Sequence, residues 1–161
     1  MSEKETPPNL TTVRYDERQT EIVESGAEAI EACLRDSDDA GRRSLLFCLD
    51  KYLDPYFGYE LPYAEGIFGI LQREVLRKRS IHVKEDAYEL MRLYSGRRLE
   101  QLAERIGEVE PQMLREALDT LGCTFNPEYA PIVERFLEHE DPVIRRTARE
   151  ASENCRAGKG L

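Results

Sequence analysis

The stretch from Asn126 to Cys155 constrains this chain more than any other, because it spells two helical segments on either side of a well-specified turn. Its first half repeats Ile132, Val133, Phe136 and Leu137 at helical spacing. The second half does the same with Val143, Ile144, Thr147, Ala148 and Ala151. Each half therefore has one apolar face to bury. Between them stands Glu140-Asp141-Pro142. Asp141 is a good helix N-cap, and Pro142 suits the first helical position, where a missing N–H costs nothing. The segment predicts two antiparallel helices.

The same spelling occurs once more upstream. Glu110-Pro111-Gln112-Met113-Leu114-Arg115-Glu116-Ala117 aligns with Asp141 to Ala148 at an offset of 31 residues, placing Pro111 on Pro142, Arg115 on Arg146 and Ala117 on Ala148. A period in this range marks stacked helical hairpins, none of which can bury its apolar face without a neighbour. Asp141-Pro142-Val143-Ile144-Arg145-Arg146-Thr147-Ala148 resembles the inter-helix turn and second-helix start of HEAT repeats, Asp-Pro-x-Val-Arg-x-x-Ala. The upstream unit departs from that pattern at Glu110, where the family has aspartate, and at Leu114, where it has arginine. Laying Asp38 over Asp141 puts Arg42 and Arg43 over Arg145 and Arg146, a more divergent unit without the proline. The resemblance implies an all-α fold, a short HEAT-like α-solenoid of about four stacked antiparallel hairpins. In such units turn aspartates and second-helix arginines often pair between neighbours.

Other segments are assigned by the same local signals. Residues 1–15 are charged and carry Pro7 and Pro8, which predicts a flexible N-terminal tail. Residues 16–157 are expected to be a single helical domain, and 158–161 a short C-terminal tail. Apolar spacing predicts helices over about 18–34, 41–53, 63–79 and 84–94, then a hairpin from 99–109 and 111–121. Gly66 and Gly69 inside the third of these suggest close approach of a neighbouring backbone. The expected core contains Leu102, Ile106, Met113, Leu118, Leu121, Val133, Phe136, Leu137, Ile144 and Ala148. Asp54 to Pro62 breaks the helical pattern and concentrates aromatics at Tyr56, Phe57 and Tyr59. Such a segment is either a plug packed on the core or a recognition loop.

Charge and cysteine usage narrow the function. With 23 Lys and Arg against 32 Asp and Glu the formal net charge is −9. Nucleic acid is thereby disfavoured as a partner, and a basic protein partner is favoured. Cys33, Cys48, Cys123 and Cys155 never occur as Cys-x-x-Cys and lie in apolar helical runs, so they read as reduced core residues. No apolar run approaches the ~20 residues of a membrane span. The expectation is a cytoplasmic monomer.

No catalytic, cofactor-binding or metal-ligating residue is nominated. His82 and His139 are the only histidines, lie in different units, and form no metal-binding spacing such as His-Glu-x-x-His. Gly66-x-x-Gly69 falls inside a helix and so is no nucleotide fingerprint. The family to which the repeats are similar works mainly through protein binding on a concave surface of second helices, and that is the function expected here. A small acidic immunity or inhibitor protein that neutralises a basic toxin such as a nuclease is an alternative. A HEAT-fold enzyme of the bilin lyase or DNA glycosylase type is another. The expected partner-binding residues are Arg42, Arg43, Arg115, Arg145 and Arg149 on the second helices, with Tyr56, Phe57 and Tyr59, since arginine and tyrosine are the commonest interface anchors.

Overall fold

The computed structural model describes residues 13–158, which form nine α-helices linked by loops and 3-10 turns, with no strand among the described residues. In chain order α1 is Glu17–Ser25, α2 Ala27–Asp36, α3 Asp39–Leu53, α4 Ala64–Glu74 and α5 Ile81–Tyr94. They are followed by α6 Glu100–Glu104, α7 Leu114–Gly122, α8 Ala130–Val133 and α9 Pro142–Ala157. Contacts between helices run in two series. One passes from α3 to α5, α7 and α9, and the other from α2 to α4 and α6. One continuous core fills the space between them, with Ile30, Leu49, Ile67, Leu71, Met91, Leu102, Leu118 and Val133 all buried. No helix among the described residues is long and apolar enough to cross a membrane.

Side-chain caps start the longer helices of the first series. Asp38 accepts from Gly41 N at 2.8 Å, Ser80 from Val83 N at 3.3 Å and Asp141 from Val143 N at 2.8 Å. Each satisfies an N–H that the helix leaves without a partner. The second series relies on neighbours instead. Leu99 N–H donates to the Tyr129 hydroxyl at 2.9 Å, and Leu102 N–H to Gln72 Oε1 at 3.0 Å. Thus the first turn of α6 is held from both sides, by α4 and by the 3-10 turn before α8.

Several elements are shorter than periodicity predicts. The helix expected over 18–34 is two, broken at Gly26, whose φ of 114° is open to glycine and strained for other residues. The helix expected over 63–79 ends at Glu74, whose carboxylate is buried and gathers Arg77 Nη1 at 3.0 Å and Arg79 Nε at 2.8 Å. A buried carboxylate needs such partners, and leaving the helix lets both arginines fold back onto it. Residues 99–109 contain only α6 and a 3-10 turn at Ile106–Glu108, where Gly107 is a poor helix former. The first half of 126–155 is likewise two 3-10 turns around the four-residue α8. Pro131 has no N–H to return to the Pro127 carbonyl.

The core expectation holds with two exceptions. Phe136 and Leu137 are only partly buried, while Tyr129 is buried. Val13 and Tyr15 belong to the expected tail yet pack on the helices, Tyr15 meeting the Phe47 ring edge-on at 5.5 Å. The tail's residues 1–12, and 159–161 at the other end, lie outside the described residues. The four cysteines are free thiols, with Cys48 and Cys155 buried and Cys33 and Cys123 partly so.

Gly122 and Gly158, rather than Gly66 or Gly69, are the glycines where backbone leaves no room for a Cβ, the one at 158 running into the Phe125 carbonyl. A Cβ at 66 would meet the Ala27 Cβ at 3.5 Å, and one at 69 only the ends of the Arg73 and Gln101 side chains. At 122 it would stand 2.8 Å from the Ala151 Cα, so α7 and α9 touch backbone to backbone. Gly122→Ala is therefore expected to destabilise by about 1–3 kcal/mol through overpacking, read as a lower urea midpoint. An unchanged midpoint would mean that the two helices are not in this contact.

Alkaline pH gives a second check on the core. Burial pushes the Cys155 thiol up from 9.0 to about 11, the Glu134 charge adding to this and Arg156 opposing it. Burial likewise raises Cys48 and Cys123. The unfolded thiol ionises near 9.0 and the folded one only near 11, so this stability is complete below the first value and lost as pH climbs to the second. The urea midpoint is expected to fall over that window, and to fall less steeply in Cys155→Ala.

Candidate interaction surface

Arg42 and Arg145 play the same part at the starts of α3 and α9. Arg42 Nε donates to the Leu34 carbonyl at 2.7 Å, and its Nη1 meets Asp39 at 2.8 Å. Arg145 Nη1 donates to the carbonyls of His139 at 2.7 Å and Glu140 at 3.1 Å. Each lies four residues beyond its capping aspartate and turns back onto the end of the preceding segment, covering carbonyls left over there. Lys84 holds the equivalent place after Ser80. Its side chain is 2% exposed and paired with Glu110. The corresponding place after Glu110 holds Leu114, and Glu110 takes its cation from Lys84 of α5.

Pairing between successive helices of the first series is carried by other residues. Arg43 Nε meets Asp86 at 2.7 Å, linking α3 to α5. Arg92 Nη1 meets Glu116 at 2.7 Å and its Nε lies 3.8 Å from Asp119, linking α5 to α7. The turn aspartates Asp38 and Asp141 cap their own helices, so the aspartate-to-arginine ladder implied by the resemblance is replaced by these contacts. Arg115 and Arg149 are exposed and make no side-chain hydrogen bond or ion pair among the described residues. The structure therefore separates the five arginines into three that are engaged and two that are not.

The aromatic segment is also divided. Asp54 caps the 3-10 turn Pro55–Phe57 by accepting from Tyr56 N at 3.0 Å, and Gly58 closes it at φ 71°. Tyr59 stacks on the buried Tyr52 with ring centroids 4.5 Å apart, and Lys51 Nζ lies 5.8 Å from the Phe57 ring and 6.0 Å from that of Tyr59. Tyr56, at 86% exposure, touches little beyond the edge of Phe57 at 5.2 Å. All three rings are exposed, Tyr59 at 44% with one face against Tyr52 and Tyr56 standing furthest into solvent.

A groove that periodicity does not reveal runs between α3 and α5. Its volume is about 310 Å³. Leu46 and Leu90 form its floor, Phe47 at 48% and Leu93 at 59% exposure its rims, and Asp50, Asp86 and Glu89 its acidic side. The run Leu45-Leu46-Phe47-Cys48-Leu49 is apolar throughout, so nothing in the sequence says that Phe47 alone faces outward. The one sign in the sequence is spacing, since Arg43, Leu46, Phe47 and Asp50 share a helical face, as do Asp86, Glu89, Leu90 and Leu93.

A second hollow, of about 440 Å³, lies against α4, α6 and the loop before α6, and its walls include Glu65, Gln72, Arg98 and Glu100. Among the described residues no group of three or more His, Cys, Asp and Glu side chains is placed to hold a metal ion. Compared with family models, with curated proteins and with solved structures, the chain finds no match.

Because Tyr59 is packed and Tyr56 is not, their substitutions should part. Tyr56→Ser is expected to leave stability within about 0.5 kcal/mol of the wild type. Tyr59→Ser loses the stack on Tyr52 and should cost about 0.5–1.5 kcal/mol. Thermal melts followed by far-UV circular dichroism distinguish them, and equal losses would mean that the stack on Tyr52 adds nothing to stability.

Proposed function

We propose that the chain is a short HEAT-like solenoid of four hairpins, α2 with α3, α4 with α5, α6 with α7 and α8 with α9, that serves as a non-enzymatic protein-interaction module. The two series of helix contacts support this arrangement, as do the contacts of α2 with α3, α4 with α5 and α8 with α9. So does the spacing of the turn residues Asp38, Ser80, Glu110 and Asp141, at 42, 30 and 31 residues. The one long interval contains the aromatic segment, which reads as an insertion between the first two units. In this reading α1 covers the first unit and α9 closes the last.

The observation that carries the functional reading is the α3/α5 groove. Two large apolar side chains stand half exposed on facing helices above a floor of buried leucines. Single exposed hydrophobics are ordinary on a protein surface, but a lined depression with apolar rims and a few polar groups is the usual form of a binding site. Helical repeats bind partners along their stacked helices, and this groove lies between two members of the longer series.

Leu93→Ser is expected to weaken capture of the partner by at least about tenfold, equivalent to about 1.4 kcal/mol, without lowering the melting temperature, and Phe47→Ser to weaken it likewise with a small loss of stability from the Tyr15 contact. The check uses full-length protein immobilised in extract from its native cells, with retained partners quantified against the wild type and against Arg149→Ser. Retention that is the same for the groove variants and the wild type would sink the assignment of this surface.

A further inference from the structure

The groove also has a chemical character that points to what it binds, and this inference rests on the interaction reading above. Four charged side chains line it: Arg43, Asp50, Asp86 and Glu89. Arg43 and Asp86 neutralise each other at 2.7 Å. Asp50 accepts only the neutral Tyr94 hydroxyl, at 2.7 Å, and Glu89 has no ion pair or side-chain hydrogen bond among the described residues. Two carboxylates are thus left without a cation beside Phe47 and Leu93.

The surroundings strengthen the negative field. Asp50 lies near the C-terminal end of α3, and Leu93 and Tyr94 close α5, so both helices direct their negative ends to this side of the groove. The Tyr94 hydroxyl is held well above the ordinary tyrosine range, by burial first, then by its hydrogen bond to Asp50 and by the charges of Asp50, Asp54 and Glu89. Lys51, next to Asp50 in the chain, is turned over the Phe57 and Tyr59 rings. A net charge of −9 adds long-range attraction for a cation.

We infer that the α3/α5 groove takes a basic, apolar peptide segment of a partner protein. Such a segment inserts leucine- or phenylalanine-like side chains over Leu46 and Leu90, between Phe47 and Leu93. It sets lysine or arginine against Asp50 and Glu89. Apolar contact supplies the affinity that the rims suggest, and the two uncompensated carboxylates select the charge and speed the encounter. Val13 of the chain's own N-terminal segment lines one side of the groove, while Glu3 and Glu5 outweigh Lys4 further up that segment and make it a poor match for the acidic side.

Peptides selected from a random-sequence library on the full-length protein test this directly. Their affinities are then measured by fluorescence polarisation for the wild type, Leu93→Ser and Glu89→Lys, each first shown to melt like the wild type. Groove-dependent peptides, those weakened at least about tenfold by Leu93→Ser, are expected to combine large apolar residues with lysine or arginine. Glu89→Lys should weaken the same peptides by about tenfold at low salt, and by less as salt is raised. Groove-dependent peptides that lack basic residues and ignore Glu89→Lys would overturn the inference about the partner while leaving the groove as an interaction site. If no selected peptide responds to Leu93→Ser, the inference and the groove assignment both fail. An affinity that rises about tenfold in Leu10→Ser would show that the chain's own first residues occupy the groove, and would also overturn the inference.

Discussion

The first turn of α6 is the point on which the second series of helices depends. A five-residue helix cannot sustain itself in water, because nucleation fixes more backbone freedom than one turn of hydrogen bonds returns. Its buried first-turn amides are satisfied instead by side chains from outside, Gln72 of α4 on one side and Tyr129 on the other. Asn126 adds a third tie, its Nδ2 donating to the Arg97 carbonyl at 2.8 Å. Local propensity is therefore replaced by tertiary hydrogen bonds, and an unmade bond at a buried amide would cost more than a made one contributes. The longer helices of the first series, α3, α5 and α9, carry their own caps and need less help.

Among the described residues two charges are buried and several others are engaged at helix starts. Glu74 is fully buried between Arg77 and Arg79, Lys84 is nearly so beside Glu110, and Arg42 and Arg145 close the turns from which their helices start. Desolvated groups of this kind hold register because each has one good partner and a high cost without it. The cations left over include Arg115, Arg146 and Arg149 on α7 and α9. The anions left over include Asp50 and Glu89 at the α3/α5 groove. In a chain of net charge −9, Asp50 and Glu89 thus stand without a cation beside the exposed Phe47 and Leu93.

The aromatic segment between α3 and α4 belongs to both the fold and the surface. Tyr59 reinforces the Tyr52 position, and Tyr52 in turn donates its hydroxyl to Glu24 of α1 at 2.7 Å. Through these rings the segment between α3 and α4 is tied to the first helix of the chain. Tyr56 does none of this and stands in solvent beside Phe57. Tyrosine suits such a division, because the same ring packs well and hydrogen-bonds well wherever it lies.

The sequence by itself determined the helical class and the capped turns before α3 and α9, because those rest on local physics. Apolar residues at helical spacing, Asp141 before Pro142 and Asp38 before α3 act within a few residues of themselves, and the structure has a cap at each aspartate. Periodicity could not reveal where helices stop short, since Gly26, Pro131 and Gly107 act through backbone geometry that an apolar pattern ignores. Nor could it tell which arginines are engaged, because Arg42 and Arg149 look alike until the carbonyls of Leu34 and Arg35 come within reach of one and not the other. The groove lay furthest from sight. Phe47 and Leu93 are 46 positions apart in apolar runs where most neighbours are buried, and only the packing of α3 on α5 leaves these two outside together.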